Sequence, residues 1–176
     1  MLFRSDIEKV RITTQESAIR IIDKSGPLYN PADRDHCLQY MTAVGLIFGE
    51  LTADHYEDAV AKDPRIDALR AKMEVIEEPR YSKEYLDPQK RSIANAVQVF
   101  FNDGSATENI AVEYPIGHRR RRAEGMPQLV KKFETNLASR LAPAWCERIL
   151  ELCLDAKTLH STSIDRFTDM FTVQSA

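Results

Sequence analysis

The stretch NPADRDHCLQYMTAVGLIFG, residues 30–49, carries apolar side chains on most sides of a helix. Cys37, Met41, Val44 and Phe48 recur at three- and four-residue spacing, and Leu38 and Gly45 widen that stripe. His36, Tyr40 and Ile47 fall on the opposite side, with Gln39 and Thr42 as the main polar breaks. The pattern predicts one helix, largely buried. Asn30 or Asp33 can cap it, since a short side-chain oxygen accepts a free amide of the first turn. Pro31 suits the start, where its missing N–H costs nothing. His36 and Tyr40 stand one turn apart on the predicted helix. A polar pair on a mostly buried helix is either hydrogen-bonded core or part of a site.

Around this helix the pattern alternates between strand and helix periods. IEKVRITT, residues 7–14, reads as a strand with Val10 and Ile12 on its buried face. Residues 16–23 read as a short helix ended by Lys24-Ser25-Gly26-Pro27. Beyond the central helix, Thr52 caps a turn of helix through Tyr56, a helix covers 64–72 and a strand 73–78. Residues 79–90 are polar, contain two prolines and read as a surface loop. Residues 93–101 and 107–114 are β-rich runs around Asn102-Asp103-Gly104-Ser105, a hairpin signal because the tight turn needs positive φ. Pro115 then closes the ladder. Pro127 marks a helix start, with Leu129, Val130, Phe133, Leu137 and Leu141 as its apolar face. Pro143 opens a helix with Trp145, Ile149 and Cys153 on one stripe, and Thr162 with Asp165 resembles a capping box for a last short helix.

The fold class is therefore α+β: a small, mostly antiparallel sheet with packed helices, followed by a C-terminal helical segment. Residues 1–122 are expected to form the α+β domain and 123–176 the helical segment. A chain of 176 residues, 43% hydrophobic, can bury one good core. Its net charge of −3 offers no global attraction to nucleic acid, and no apolar run approaches a membrane span of about 18 residues. MLFRSDIEKV lacks the apolar region of a secretory signal. Cys37, Cys146 and Cys153 lie inside apolar helical patterns and read as reduced core thiols of a cytoplasmic protein, with no metal-ligand spacing.

The most unusual local chemistry is His118-Arg119-Arg120-Arg121-Arg122, directly after the hairpin. Four adjacent arginines repel one another unless carboxylates or an anion are near. Three readings compete: a solvated loop with surface ion pairs, a nucleic-acid contact, or recognition of a polycarboxylate. The acidic net charge and the lack of an aromatic platform weigh against nucleic acid. The planar guanidinium fork matches carboxylate oxygens two at a time.

KSGPLYNPADRDHCLQYM, DPQKRSIANAVQVFFNDG, VEYPIGHRRRR and KKFETNLA together resemble the C-terminal portion of the MmgE/PrpD family. The similarity runs in order over residues 6–171. Tyr29 departs from an expected asparagine, and the basic run differs from relatives that carry a non-arginine there. The resemblance implies loss of water from 2-methylcitrate to give 2-methyl-cis-aconitate, in propionate breakdown by the methylcitrate cycle, with no cofactor and no iron–sulfur cluster. It implies a site between this domain and a mainly helical N-terminal domain that precedes the matched region, so the start at Met1 is expected to reflect a truncation or a split gene. Most acid–base groups would come from that missing part, and the chain alone would be inactive. Tyr40 matches a tyrosine that the α+β domain contributes, while His118 with Arg119, Arg120, Arg121 and Arg122 are candidates to bind substrate carboxylates on the strength of their own chemistry. His55 and His160 are expected at the surface. The partners implied are a tricarboxylate substrate, the N-terminal helical domain and further copies in a homo-oligomer, without nucleic acid or membrane. The alternatives are another activity of the family, or a non-catalytic partner or regulatory module.

Overall fold

The structure, a computed structural model, describes residues 6–172. It divides into two compact units, Met1–Pro115 and Ile116–Ala176. The first is built on β1 (Ile7–Thr14), whose alternating residues Val10, Ile12 and Thr14 are buried. The chain then runs through α1 (Glu16–Ile22), α2 (Pro31–Asp35), α3 (Leu38–Phe48), a 3-10 turn (Ala53–Tyr56), α4 (Asp58–Ala61) and α5 (Pro64–Arg70). These helices form the crossover that lets β2 (Met73–Glu77) lie parallel to β1, a connection no short turn can make. After α6 (Pro79–Leu86), β3 (Asn95–Phe101) and β4 (Ile110–Val112) add antiparallel, giving the order β2-β1-β3-β4. The fold is α+β and its sheet is mostly antiparallel, as expected.

The two sheet faces follow from the register. Val10 pairs with Val99 and Met73, and Ile12 with Val97 and Val75, so these share the face that packs on Tyr40, Ala43, Val44 and Ile47 of α3 and Ile66 and Leu69 of α5. The other face carries Lys9 and Arg11 against Glu74, 3.2 and 3.4 Å away, and against the Phe100 ring. Tyr81 of α6 forms a small cluster with Ala94 and Ala96.

The predicted central helix is two helices. His36 (φ −102, ψ 32) and Cys37 (φ −128, ψ 107) leave helical geometry, and α3 restarts at Leu38. Asn30 caps the first piece, its side chain accepting from the Asp33 amide at 2.9 Å, with Pro31 in the first turn. The break shifts the phase of the buried stripe: Tyr40, Ala43, Val44 and Ile47 face the core, while Phe48 is 39% exposed and Met41 only half-buried. Both sets fit a 3.6-residue period, and the sheet selects the one that fits flush. His36 and Tyr40 no longer share a helix face, since His36 is exposed beside Asp35.

Residues 79–90 are not a loop throughout. Pro79 occupies the first turn of α6, where it is tolerated, and the Glu78 side chain caps it by accepting from Arg80 N. Tyr81 and Glu84 point inward, and Pro88 falls beyond the helix. The hairpin forms with Gly104 at φ +83, but β4 pairs over only three residues, and Ile110 and Val112 are half-exposed at the sheet edge.

The second unit holds a 3-10 turn (Arg119–Arg121), α7 (Arg122–Ala138), α8 (Pro143–Leu154), α9 (Ala156–Ser161) and α10 (Ile164–Asp169). Leu137, Cys146 and Ile149 form its core, joined by Phe133, Trp145 and Met170. Two expectations fail here. Helix α7 begins at Arg122, so Pro127 lies inside it and does not start it. Thr162 ends α9, donating to the Thr158 carbonyl at 2.8 Å, and Ser163 is the residue at the cap of α10.

Candidate active site

Tyr40 sits on the inward face of α3, 2% exposed, because the helix places it directly over the β1 core. A buried phenol needs an acceptor, and its hydroxyl donates to the His55 carbonyl at 2.6 Å. Burial raises its pKa above that of an ordinary tyrosine. The Asp67 carboxylate adds to this, while Arg34 and Arg70 pull the other way. At neutral pH Tyr40 is therefore a protonated donor. Its ring stacks on Tyr56 at a 6.3 Å centroid distance. Tyr56 is raised by burial and by Asp35, to whose side chain it is hydrogen-bonded.

Arg34 was not singled out by the sequence, because an arginine in a charged run such as PADRD reads as surface. It is 5% exposed. Nη1 donates to the Tyr56 carbonyl at 2.6 Å and Nη2 to Asp58 Oδ1 at 2.7 Å. Arg34 and Tyr40 thus hold consecutive carbonyls of one segment, 55–56, from two different helices. Thr52 caps that segment as expected, with His55 Nδ1 accepting from the Thr52 amide at 3.0 Å. Expected at the surface, His55 is only partly exposed and its ring stands 5.1 Å from Phe48; His160 is exposed.

The basic run belongs to the second unit. His118 caps the 3-10 turn, its Nδ1 accepting from Arg120 N at 3.2 Å. Arg121 pairs with Glu124 one turn on, at 2.8 Å, and this pair raises Arg121 and lowers Glu124. Arg119, Arg120 and Arg122 are exposed. The turn is seated by Gly125: a Cβ there would stand 2.3 Å from the Ile116 carbonyl oxygen, so only glycine lets α7 approach the Ile116-Gly117 turn that leads into the run. The geometry presents several guanidinium groups around one turn at the start of α7, an arrangement able to hold carboxylates.

Cys37, Cys146 and Cys153 are free thiols, and burial raises Cys153. Among the described residues no group of three or more His, Cys, Asp or Glu side chains is arranged to hold a metal ion, and no helix is long and apolar enough to cross a membrane.

Comparison with known proteins bears on these residues. The MmgE/PrpD C-terminal domain matches residues 4–156. The chain is 53% identical over 169 residues to 2-methylcitrate dehydratase of Escherichia coli (strain K12), covering 96% of this chain and 35% of that protein. It is 51% identical over 166 residues to the mitochondrial 2-methylcitrate dehydratase of Yarrowia lipolytica, covering 94% of the chain and 32% of the relative. A 2-methylcitrate dehydratase-like protein, oryR of Aspergillus oryzae, is 40% identical over 174 residues. The chain spans about a third of the length of these relatives. With a family match over residues 4–156 and half its residues identical to those of named relatives, the chain belongs to the MmgE/PrpD family, as a C-terminal domain.

Proposed function

We propose that this chain is the C-terminal portion of a 2-methylcitrate dehydratase, a hydro-lyase that eliminates water from 2-methylcitrate to give 2-methyl-cis-aconitate in propionate catabolism. The observation that carries the reading is 53% identity to proteins of that name over 96% of the chain. The activity belongs to a larger protein, since the chain corresponds to 35% of the relatives' length.

Elimination needs a base for the carbon-bound proton, an acid for the departing hydroxyl and cations for the carboxylates. This chain supplies the last of these and one donor. Tyr40, kept protonated by burial, donates to a carboxylate or to the leaving hydroxyl once its hydrogen bond to His55 is exchanged. His118 and Arg119, Arg120, Arg121 and Arg122 hold substrate carboxylates. The proton-abstracting base comes from the N-terminal portion, a mainly helical domain. The assembled enzyme is a cytoplasmic homo-oligomer that works without an iron–sulfur cluster or other cofactor.

A second reading of Tyr40 is favoured by its 2% exposure and its short bond to a backbone carbonyl: a core residue that anchors the 52–58 segment. The test of the main reading is complementation. The purified chain is mixed with a separately produced N-terminal portion, and 2-methylcitrate dehydration is assayed. Turnover is expected from the mixture and none from either part. Absence of turnover from a mixture that forms a stable complex contradicts it.

A further inference from the structure

The second unit holds an open cavity of about 890 Å³ between α8, α9 and α10, within the size range of small-ligand sites. Helix α8 lines it with Trp145 and Arg148, three residues apart and so on one face. Helix α10 lines it with Arg166 and Asp169, again one turn apart. Among the described residues, neither guanidinium is paired with a carboxylate, and the Asp169 side chain accepts no hydrogen bond. That is unlike Arg34 or Arg121, whose partners are Asp58 and Glu124.

Arg148 is also held in place. Its guanidinium lies over the Trp145 ring, 5.3 Å from the centroid, and the indole Nε1 donates to the Met170 carbonyl. Stacking occupies the face of a guanidinium and leaves its N–H edge available to a carboxylate. The hydroxyls of the lining are already spent as donors. Thr158 donates to Asp155, and Ser161 and Thr162 both donate to the Thr158 carbonyl. The groups left to meet a ligand are thus two planar cations and one carboxylate. A simple anion would meet repulsion from Asp169, and a simple cation would meet it from Arg148 and Arg166. A molecule that suits all three carries two carboxylates and a hydrogen-bond donor.

We propose that this cavity is an accessory binding site for a hydroxy-polycarboxylate, with one carboxylate on Arg148, another on Arg166 and the hydroxyl donating to Asp169. The site shares no residue with Tyr40 or with the basic run at 118–122. Its ligand class follows from the lining, so the inference goes beyond the dehydratase reading and does not rest on it.

Trp145 is the single tryptophan of the chain, so its fluorescence reports on this cavity directly. The test is a citrate titration of the 176-residue chain at constant ionic strength, followed by tryptophan emission and by calorimetry. A saturable change is expected in both. Arg166→Gln leaves the stack of Arg148 on Trp145 in place and should weaken citrate about threefold to tenfold. Tricarballylate, which is citrate without its hydroxyl, should bind about threefold more weakly or worse, and Asp169→Ala should erase that preference. Arg166 and Asp169 are both exposed, and far-UV circular dichroism checks that the variants keep their helices. Absence of any saturable response to citrate overturns the site. So does a response that survives Arg166→Gln and is lost in Arg119→Gln, which places citrate on the basic run. Glutamate, whose ammonium could also meet Asp169, overturns the hydroxy-acid assignment if it binds more tightly than citrate.

Discussion

The Tyr40 hydroxyl donates to the His55 carbonyl at 2.6 Å, so the one tyrosine proposed for chemistry is also a strut between α3 and the segment capped by Thr52. The two roles predict different consequences for Tyr40→Phe. As a preorganised donor in the assembled enzyme, its loss should cut turnover by roughly ten- to a thousand-fold, the effect of removing about 2–4 kcal/mol of transition-state stabilisation. As a strut alone, its loss costs about 1 kcal/mol of stability and leaves turnover almost unchanged. Melting temperature and turnover measured on the same sample separate them, and lowered stability with full turnover returns Tyr40 to the core.

Arg34 should matter more to folding than its surroundings suggest. Arg34→Met removes the donors to the Tyr56 carbonyl and to Asp58, and is expected to cost about 2 kcal/mol in urea unfolding. Asp58→Ala should cost about 1 kcal/mol or less, because that carboxylate is 71% exposed and its pairing is screened. Equal losses for the two variants would show that the ion pair, and not the carbonyl contact, holds the segment.

Gly125→Ala tests the seating of the basic run. The added methyl must displace the Ile116 backbone, and overpacking of this kind costs about 1–3 kcal/mol. The expected signature is local: NMR shifts and amide exchange change over residues 116–125. A variant with unchanged shifts there contradicts the close approach.

Acid stability should depend on Glu84. Lys90 at 2.6 Å and Arg80 at 3.0 Å hold its carboxylate below the usual range, with the Lys90 hydrogen bond the largest cause. A folded-state pKa lower than the unfolded one stabilises the fold above the unfolded value, and this contribution is lost as pH falls through the folded one. Glu84→Gln should therefore lower the melting temperature at neutral pH and flatten its fall on acidification. An acid limb identical to that of the parent chain rules Glu84 out as a contributor.

How much of this was legible in the residues depends on what kind of signal each carried. Strand β1 and the hairpin were readable because alternation and Asp103-Gly104 are local features that tertiary packing merely uses. The phase of the central helix was not, since Cys37-Met41-Val44-Phe48 and Tyr40-Ala43-Val44-Ile47 fit a helical period equally well. Only the position of the sheet distinguishes them, and the chain leaves helical geometry at His36 and Cys37 before α3 begins. Helix α6 was hidden by reading Pro79 and Pro88 as loop formers, although one opens the helix and the other follows it. Of the candidate site residues, Tyr40 was singled out by the resemblance, and the basic run was visible through its charge pattern alone. Arg34 and Arg70 were invisible because pattern reasoning assigns arginine to the surface. Their burial becomes apparent only with the carbonyls of Tyr56 and Gly26 that they meet.

The most direct measurement is made on a chimera: the matching C-terminal third of the Escherichia coli relative is replaced by this chain, and conversion of 2-methylcitrate to 2-methyl-cis-aconitate is followed. The account predicts a folded enzyme whose turnover lies within about tenfold of the parent's and falls on Tyr40→Phe. A chimera that folds and assembles as the parent does, yet leaves 2-methylcitrate untouched, would contradict it.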